Sequence, residues 1–256
     1  MSDEQAVLTE RHDRILQITI NRPDQRNAVN AAVAEGISAA LDELDEDREL
    51  SVGVITGAGK GFSAGMDLKA FVSGERPYAG DRGFAGIVQR PPVKPLIAAV
   101  EGFAVAGGLE VALACDLIVA ARGARLGVPE VKRSLVAAGG ALLRLPRTLP
   151  RNLAMELALT GEPIEAERGY ELGLVNRLVD PGEALAGARE LAEVIAANGP
   201  LALMATKRIM MESADWPDAA FFTRQAEIVA PVMSSEDARE GATAFAEKRP
   251  PVWKGR

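Results

Sequence analysis

The sequence of 256 residues contains one cysteine and one histidine. Because Cys115 is alone, an intramolecular disulfide is impossible and a zinc site built from several thiolates is implausible. The single imidazole, His12, lies near the N terminus, so a Ser-His-Asp triad would require His12 itself to reach the site. Most mechanisms that depend on histidine are therefore excluded, and no metal site is expected.

Long apolar runs are also missing. No stretch approaches the roughly 18 uncharged apolar residues of a membrane-spanning helix, and the first five residues are too acidic for a secretory signal. The formal net charge of −7 argues against nucleic acid as a partner. It does not exclude an anionic substrate, because a few local cations can bind phosphates. We expect a cytoplasmic protein that binds neither membranes nor nucleic acids.

The first half of the chain alternates between two kinds of pattern. A helical stripe runs through residues 30–44, where Val33, Ile37, Leu41 and Leu44 are three or four positions apart. Short β-rich runs flank this helix and continue after it, at residues 15–20, 51–56, 95–100 and 116–120. Strands that alternate with helices predict an α/β fold with buried, mostly parallel strands.

After about residue 140 the pattern becomes helical. Predicted helices cover residues 152–159, 184–197, 201–212 and 217–249, the last interrupted near Pro231. The cluster Asn198-Gly199-Pro200 breaks this pattern. We therefore expect an α/β core over residues 1–197 and a C-terminal helical region over residues 198–256.

A glycine-rich segment, residues 55–69, joins a predicted strand to a short helix that starts at about Asp67. Small residues let backbone N–H groups approach a ligand, and a helix N terminus adds positive potential. The segment lacks the Gly-Lys-Ser/Thr ending of a phosphate loop. An ordinary strand-to-helix turn capped by Asp67 is the alternative interpretation.

Two glutamates lie at predicted helix starts. Glu110 follows Gly107-Gly108 among apolar neighbours, and Glu130 follows Pro129. Each could simply be a favourable partner of a helix dipole. Burial would instead raise the pKa of Glu110. Together, beside loops that offer backbone donors, the two glutamates could form an acid/base pair facing an anion hole.

Near the C terminus, Phe245 and Lys248 are three residues apart and would share one helical face. An aromatic ring beside a cation can hold an adenine and its phosphates. Without context, a packed Phe245 with a solvated Lys248 is the simpler interpretation.

Taken together, these segments resemble the crotonase, or enoyl-CoA hydratase/isomerase, superfamily over nearly the whole chain. The motifs that carry the resemblance are, in order, residues 21–28 (NRPDQRNA), 62–68 (FSAGMDL), 106–110 (AGGLE), 129–130 (PE), 139–140 (GG), 159–161 (LTG), 173–176 (GLVN) and 245–249 (FAEKR). The resemblance implies a spiral of ββα units followed by helices that build homotrimers, often paired into hexamers.

The resemblance also implies roles for individual residues. The backbone N–H groups of Met66 and Gly107 would form an oxyanion hole for a thioester oxygen, and Glu110 and Glu130 would be the catalytic pair. Phe245 and Lys248 would reach the CoA of a neighbouring subunit. Further positions implied at the substrate and CoA groove are Arg26, Ala28, Ala64, Gly65, Asp67, Leu68, Lys69, Gly108 and Pro129. No separate cofactor is implied, because coenzyme A is part of the acyl-CoA substrate.

The expected activity is hydration of a 2-enoyl-CoA, with Glu130 as base and then acid and Glu110 orienting the water. Isomerases of this family commonly use one carboxylate, so the presence of both glutamates favours hydration. Residues 66–69 and 83–86 also resemble carnitinyl-CoA dehydratases, which are the first alternative. An enoyl-CoA isomerase of the same superfamily, a catalytically weak acyl-CoA binding protein, a hydrolase and a decarboxylase remain further alternatives.

Two departures from the family pattern concern the predicted hole. Ala106 replaces a common glycine, and Met66 replaces the usual alanine, so its side chain is expected to narrow the acyl pocket. Residues 71–89, rich in glycine, are expected to form a mobile loop beside that pocket.

Overall fold

The computed structural model describes residues 5–256. Its strands are β1 (Val7–His12), β2 (Ile15–Ile20), β3 (Val52–Gly57), β4 (Tyr78–Ala79), β5 (Gly83–Phe84), β6 (Leu96–Val100), β7 (Phe103–Val105), β8 (Leu117–Ala121), β9 (Arg125–Gly127), β10 (Ile164–Glu165) and β11 (Arg177–Val179). Its α-helices are α1 (Ala31–Glu46), α2 (Leu68–Val72), α3 (Gly107–Ala114), α4 (Ala141–Thr148), α5 (Arg151–Thr160), α6 (Ala166–Glu171), α7 (Ala184–Ala196), α8 (Pro200–Glu212), α9 (Phe221–Met233) and α10 (Glu236–Glu247).

A six-stranded sheet in the order β1-β2-β3-β6-β8-β11 forms the centre of the fold. Only the β1–β2 pair is antiparallel; the other neighbours run parallel. A smaller sheet, β10-β9-β7, lies beside it. The predicted α/β class and the four predicted strands are confirmed, at β2, β3, β6 and β8.

The two faces of the large sheet are buried in two different cores, because successive side chains of a strand point in opposite directions. On β2, Leu16, Ile18 and Ile20 belong to the main core, whereas Ile15 belongs to a second, smaller core. Helix α1 contacts the sheet on its main-core side, and the small residues of α7 cover the other side. Two covered faces explain why these strands read as continuous apolar runs.

The prediction of a purely helical second half is wrong. Two short strands, β10 and β11, lie among its helices, and β11 extends the large sheet by pairing with β8. A strand of two or three residues is too short to show a period of two, so its pairing partner determines it.

The structure shows regular elements within residues 71–89, the segment whose predicted mobility stays a prediction. This segment contains the β4–β5 hairpin, and residues 82–88 are buried. Arg82 is 1 % exposed and holds the hairpin against α1 through Asp42 at 2.7 Å and Asp45 at 3.4 Å. Its guanidinium also donates to the carbonyl of Arg90 at 2.8 Å.

The C-terminal helices end in a tail that folds back on them. Pro231 lies inside α9, and the break comes at Ser234 and Ser235, where the Ser235 hydroxyl caps α10. In the tail, the Trp253 indole donates to the carbonyl of Ala197 at 2.8 Å, and Asp237 accepts from two tail amides. The division of the chain at residue 198 stays a prediction. None of the helices within residues 5–256 combines the length and apolar content needed to cross a membrane.

We predict that Arg82→Met lowers the free energy of unfolding by about 3 kcal/mol, because it removes the buried partner of a charge network. Arg90→Met is the matched control: Arg90 is exposed and also approaches Asp42, at 3.7 Å, so its loss should cost less than about 1 kcal/mol. Urea unfolding of both variants checks the difference. Equal destabilisation would contradict the proposed anchoring role of Arg82.

Candidate active site

Two glycine turns meet at the centre of the site. Gly65 has a φ of +88°, and a Cβ added there would lie 2.6 Å from the backbone nitrogen of Gly107. A Cβ added at Gly107 would lie 3.4 Å from the Cα of Gly65 and 2.6 Å from the ring of Phe84. Only glycine lets the two backbones come this close.

This contact places two backbone donors side by side. Met66 follows Gly65 and forms an isolated β-bridge with Val29. Two hydrogen bonds hold this bridge: Val29 N–H donates to the carbonyl of Gly65, and Asp67 N–H donates to the carbonyl of Val29. Among the described residues, no oxygen accepts a hydrogen bond from the N–H of Met66 or of Gly107. An unpaired pair of this kind can bind a developing negative charge. The Met66 side chain packs partly buried against the main core, and its effect on the pocket stays a prediction.

The turns are held in place by two polar residues that the sequence did not single out as site residues. Ser63 is fully buried; its hydroxyl donates to the carbonyl of Asn27 at 2.8 Å and accepts from Gly65 N–H at 3.1 Å. The Asn27 side chain donates to the carbonyls of Ala58 and Gly61. Burying a polar side chain costs free energy unless it forms hydrogen bonds. The sequence signal that could have identified these two residues was therefore a serine and an asparagine within the motifs 62–68 and 21–28.

Ala106, at the start of α3, has a φ of +53° and a ψ of −132°. Residues with a Cβ rarely adopt such a conformation, and it costs about 1–3 kcal/mol. The family's usual glycine would avoid this strain. A Cβ added at Gly65 would lie 3.0 Å from the Ala106 Cβ, so the Ala106 side chain packs directly against the Gly65 turn.

Glu110 lies in the first turn of α3, as predicted, and is 4 % exposed. Its carboxylate accepts from the N–H of Ala141 at 3.2 Å, at the start of α4. Burial raises the pKa of Glu110 to about 7, and the charge of Glu130 adds to the rise. Backbone hydrogen bonds from Ala141 and Gly139 and the charge of Arg144 oppose it. Near neutral pH this carboxyl can therefore exchange a proton.

Glu130 lies in the first turn of a 3-10 helix, Pro129–Arg133, and is half-buried. One of its oxygens, Oε2, is buried and has no hydrogen-bond partner among the described residues. Burial raises the pKa of Glu130, opposed by its own backbone hydrogen bond and by the charge of Arg133. An unpaired buried carboxylate oxygen beside a second buried carboxyl is the arrangement expected where a water or substrate is to be deprotonated.

The predicted groove residues on the first two motifs lie together. Ala64 N–H donates to the carbonyl of Arg26, so residues 26–29 run beside residues 64–67. The side chains of Arg26, Leu68 and Lys69 are exposed at the rim. Asp67 caps α2, as predicted, and binds Arg22 at 3.0 Å.

The remaining predicted positions divide into two groups. Gly108 packs against Ser63, and Pro129 starts the helix of Glu130, so both border the site. Phe245 is 87 % exposed on α10, and Lys248 follows the helix end in the left-handed conformation. The expectation that these two residues share a helical face is therefore wrong, because the helix ends between them. Among the described residues, neither makes a hydrogen bond or ion pair with the site.

Within residues 5–256, no three histidine, cysteine, aspartate or glutamate side chains group closely enough to hold a metal ion. The groups that the site does provide are two backbone donors, two carboxyls with raised pKa values and exposed cations at the rim. These groups can bind an oxyanion and move a proton next to it.

Comparisons with known proteins agree with this geometry. The family described as enoyl-CoA hydratase/isomerase matches residues 10–256. Carnitinyl-CoA dehydratase of Salmonella typhi is 43% identical over 254 residues, which cover 96% of this chain and 97% of that protein.

Solved structures with the same fold include an enoyl-CoA hydratase from Mycobacterium tuberculosis H37Rv, 60% identical, with a TM-score of 0.97 and coverage of 99% and 100% of the two chains. A carnitinyl-CoA hydratase from Mycobacterium avium is 46% identical, with a TM-score of 0.80 and the same coverage. The predicted superfamily and its fold are confirmed.

We predict that the stability of the wild type depends on the titration of Glu110. Because the folded state holds this proton more tightly than the unfolded chain, the free energy of unfolding falls as pH rises from about 4.5 to 7, by about 3 kcal/mol. Glu110→Gln cannot titrate, so it should gain about this amount relative to the wild type between pH 5 and pH 8, in denaturant unfolding.

Glu162→Gln is the control for this measurement. Lys132 lowers the pKa of Glu162, so any stability from this carboxylate is lost only as pH falls below about 4.5. Above pH 5 this variant should stay parallel to the wild type. Parallel curves for Glu110→Gln as well would show that the proton on Glu110 is not linked to folding.

Proposed function

The chain belongs to the enoyl-CoA hydratase/isomerase family, as an enzyme of the hydratase/dehydratase type, and from this premise we propose that it hydrates 2-enoyl-CoA thioesters to 3-hydroxyacyl-CoA. The observation that carries the proposal is the presence of both buried carboxyls, Glu110 and Glu130, beside the unpaired N–H groups of Met66 and Gly107. A protein that only bound acyl-CoA would have no use for two carboxyls held at raised pKa values.

In the proposed reaction, a water molecule lies between the two glutamates. Glu130 accepts a proton from it through the unpaired Oε2, and the water oxygen forms a bond to C3 of the enoyl group. The electron pair of the double bond moves to the thioester oxygen, where Met66 and Gly107 donate hydrogen bonds. Loss of one such donor typically costs about 3 kcal/mol. Glu130 then returns the proton to C2, and the enolate collapses to the product.

Glu110 has a different part in this scheme. The Ala141 amide donates to one carboxyl oxygen, and a backbone hydrogen bond from Gly139 also holds the group; in this orientation Glu110 is proposed to hold the attacking water. With its pKa near 7, Glu110 can carry a proton while Glu130 is ionised, so the pair avoids two adjacent negative charges. The proposed base is therefore Glu130.

The CoA moiety is proposed to run from the hole along Arg26, Ala28 and Lys69. Arg26 and Lys69 are exposed cations on neighbouring segments, which suits a phosphate-bearing ligand. Phe245 and Lys248 are exposed at the end of α10, which fits the proposal that they serve the CoA of another subunit in a homotrimer or a dimer of trimers.

Dehydration of a carnitinyl-CoA is the second candidate, because relatives at 43% identity bear that name. Its acyl group carries a trimethylammonium ion. The segment from Asp67 to Phe84 follows Met66 along the chain, and its Phe84 ring lies against the backbone of Gly107, so it is proposed to border the acyl group. Within it, the Arg76 guanidinium covers the Phe71 ring at 5.4 Å from the centroid. That aromatic face, the natural site for a quaternary ammonium, is already occupied by a cation.

The acidic side chains of the segment are also committed to other groups. Glu75 accepts from the N–H of Ala31 at 2.6 Å, and Asp81 pairs with Arg90 at 2.7 Å. A trimethylammonium group bound near Phe71 would meet the Arg76 guanidinium, and neither Glu75 nor Asp81 is free to balance its charge. These contacts favour an uncharged acyl group and hence the hydratase.

The decisive assay is loss of the ultraviolet absorbance of crotonyl-CoA, run in parallel with crotonobetainyl-CoA. We expect kcat for crotonyl-CoA to fall at least 1,000-fold in Glu110→Gln and in Glu130→Gln, with binding of the thioester retained, because each variant removes a group that positions or accepts the proton. If only crotonobetainyl-CoA reacts, the carnitinyl-CoA candidate replaces this proposal. Release of free CoA or CO₂ would indicate a hydrolase or decarboxylase instead.

A second prediction tests the hole separately. Gly65→Ala should lower kcat about 100-fold or more, because its Cβ would displace the Gly107 donor. Gly74→Ala is the control: Gly74 also has a positive φ, +92°, but a Cβ there meets nothing within 4 Å. Both variants carry backbone strain, yet only Gly65→Ala should lose activity. Equal losses would mean that strain, and not the hole, is responsible.

A further inference from the structure

Arg144, on α4, is a half-buried cation next to the acid/base pair. One of its guanidinium nitrogens, Nη2, donates to the carbonyl of Val88 at 2.6 Å. The other, Nη1, lies against Gly140, where an added Cβ would come within 2.2 Å of it. The side chain therefore spans the gap between the segment that contains Val88 and the turn that precedes α4.

Each end of this bridge leads to one half of the site. On one side, Val88 N–H donates to the carbonyl of Phe84, whose ring contacts the backbone at Gly107. On the other side, Gly140 lies between Gly139, which packs against the carboxyl of Glu110, and the Ala141 amide that donates to it. The Arg144 side chain thus contacts both the segment whose Phe84 ring lies against Gly107 and the turn that holds the carboxyl of Glu110.

Several elements contribute charged or titratable groups around the acid/base pair of Glu110 and Glu130. Those that act on Glu110 are Glu130, from the 3-10 helix, and Arg144, from α4. Those that act on Arg144 are Cys115, Glu110 and, on its own helix, Arg147. Arg144 is therefore the cation that acts on Glu110.

We propose that Arg144 is a positioning residue, which ties the Phe84–Val88 turn behind the hole to the Gly139–Ala141 turn under Glu110 and keeps a positive charge beside the acid/base pair. A guanidinium suits this task because its planar fork can bind two groups at once, whereas an ammonium is a point charge. For its kinetic consequence the inference rests on the proposed hydratase function.

The kinetic test compares Arg144→Met and Arg144→Lys with Arg147→Met, an exposed control on the same helix, using crotonyl-CoA. Arg144→Met should lower kcat 10- to 100-fold with less than about threefold change in KM, and should shift the apparent pKa in the profile of kcat/KM upward. Arg144→Lys should restore the pKa but only part of kcat, since it keeps the charge and loses the fork. Arg147→Met should match the wild type.

A second readout does not need turnover. The pH dependence of unfolding that belongs to Glu110 should extend to higher pH in Arg144→Met, and the extension should vanish in the double variant with Glu110→Gln. If this linkage appears but crotonyl-CoA is not hydrated, the positioning role stands and the hydratase proposal fails. If hydration is observed and the pH profile of Arg144→Met is that of the wild type, the positioning role is overturned.

If Arg144→Met does not fold, Arg144→Lys decides the question alone. A several-fold fall in kcat with an unshifted apparent pKa supports the loss of the bridge. A kcat equal to that of the wild type overturns the proposal.

Discussion

The close approach of two backbones, at Gly65 and Gly107, is the constraint on which the rest of the site depends. Without side chains at these positions, the turn after β3 and the turn before α3 touch, and two N–H groups have no acceptor within residues 5–256. Leaving donors unpaired costs free energy, which the surrounding fold must supply. The buried residues Ser63 and Asn27 hold the two turns in this unfavourable position through hydrogen bonds.

Burying the Glu110 carboxyl also costs free energy, and this burial explains why the group can transfer a proton near neutral pH. Glu110 loses most of its hydration, and the backbone hydrogen bonds from Ala141 and Gly139 do not offset this loss, so its proton is held to about neutral pH. Helices α3 and α4 contact each other, which brings the Ala141 amide at the start of α4 to the Glu110 carboxyl. The buried carboxyl lowers the stability of the folded protein, and its raised pKa lets it transfer protons at physiological pH.

The sequence predicted the fold class, the main strands and the helix starts at Glu110 and Glu130, because each depends on a local pattern. Glu110 and Asp67 were placed correctly in relation to their helices, since capping and first-turn preferences act within a few residues. The roles of Arg82 and Arg144 were missed. Each is an arginine in an unremarkable local context, and its importance comes from partners about 40 to 56 residues away. No spacing rule reports such a contact.

What the sequence determined by itself was therefore local: glycines at the turns, helix starts at the carboxyls and the order of strands and helices. The tertiary structure alone decided that Gly65 meets Gly107, that Oε2 of Glu130 is buried without a partner in the described part of the chain, and that residues 82–88 are packed. The physical reason is that desolvation and close packing depend on which distant segments meet. The extent of desolvation and the closeness of packing, and not the residue type, determine a pKa or a binding geometry.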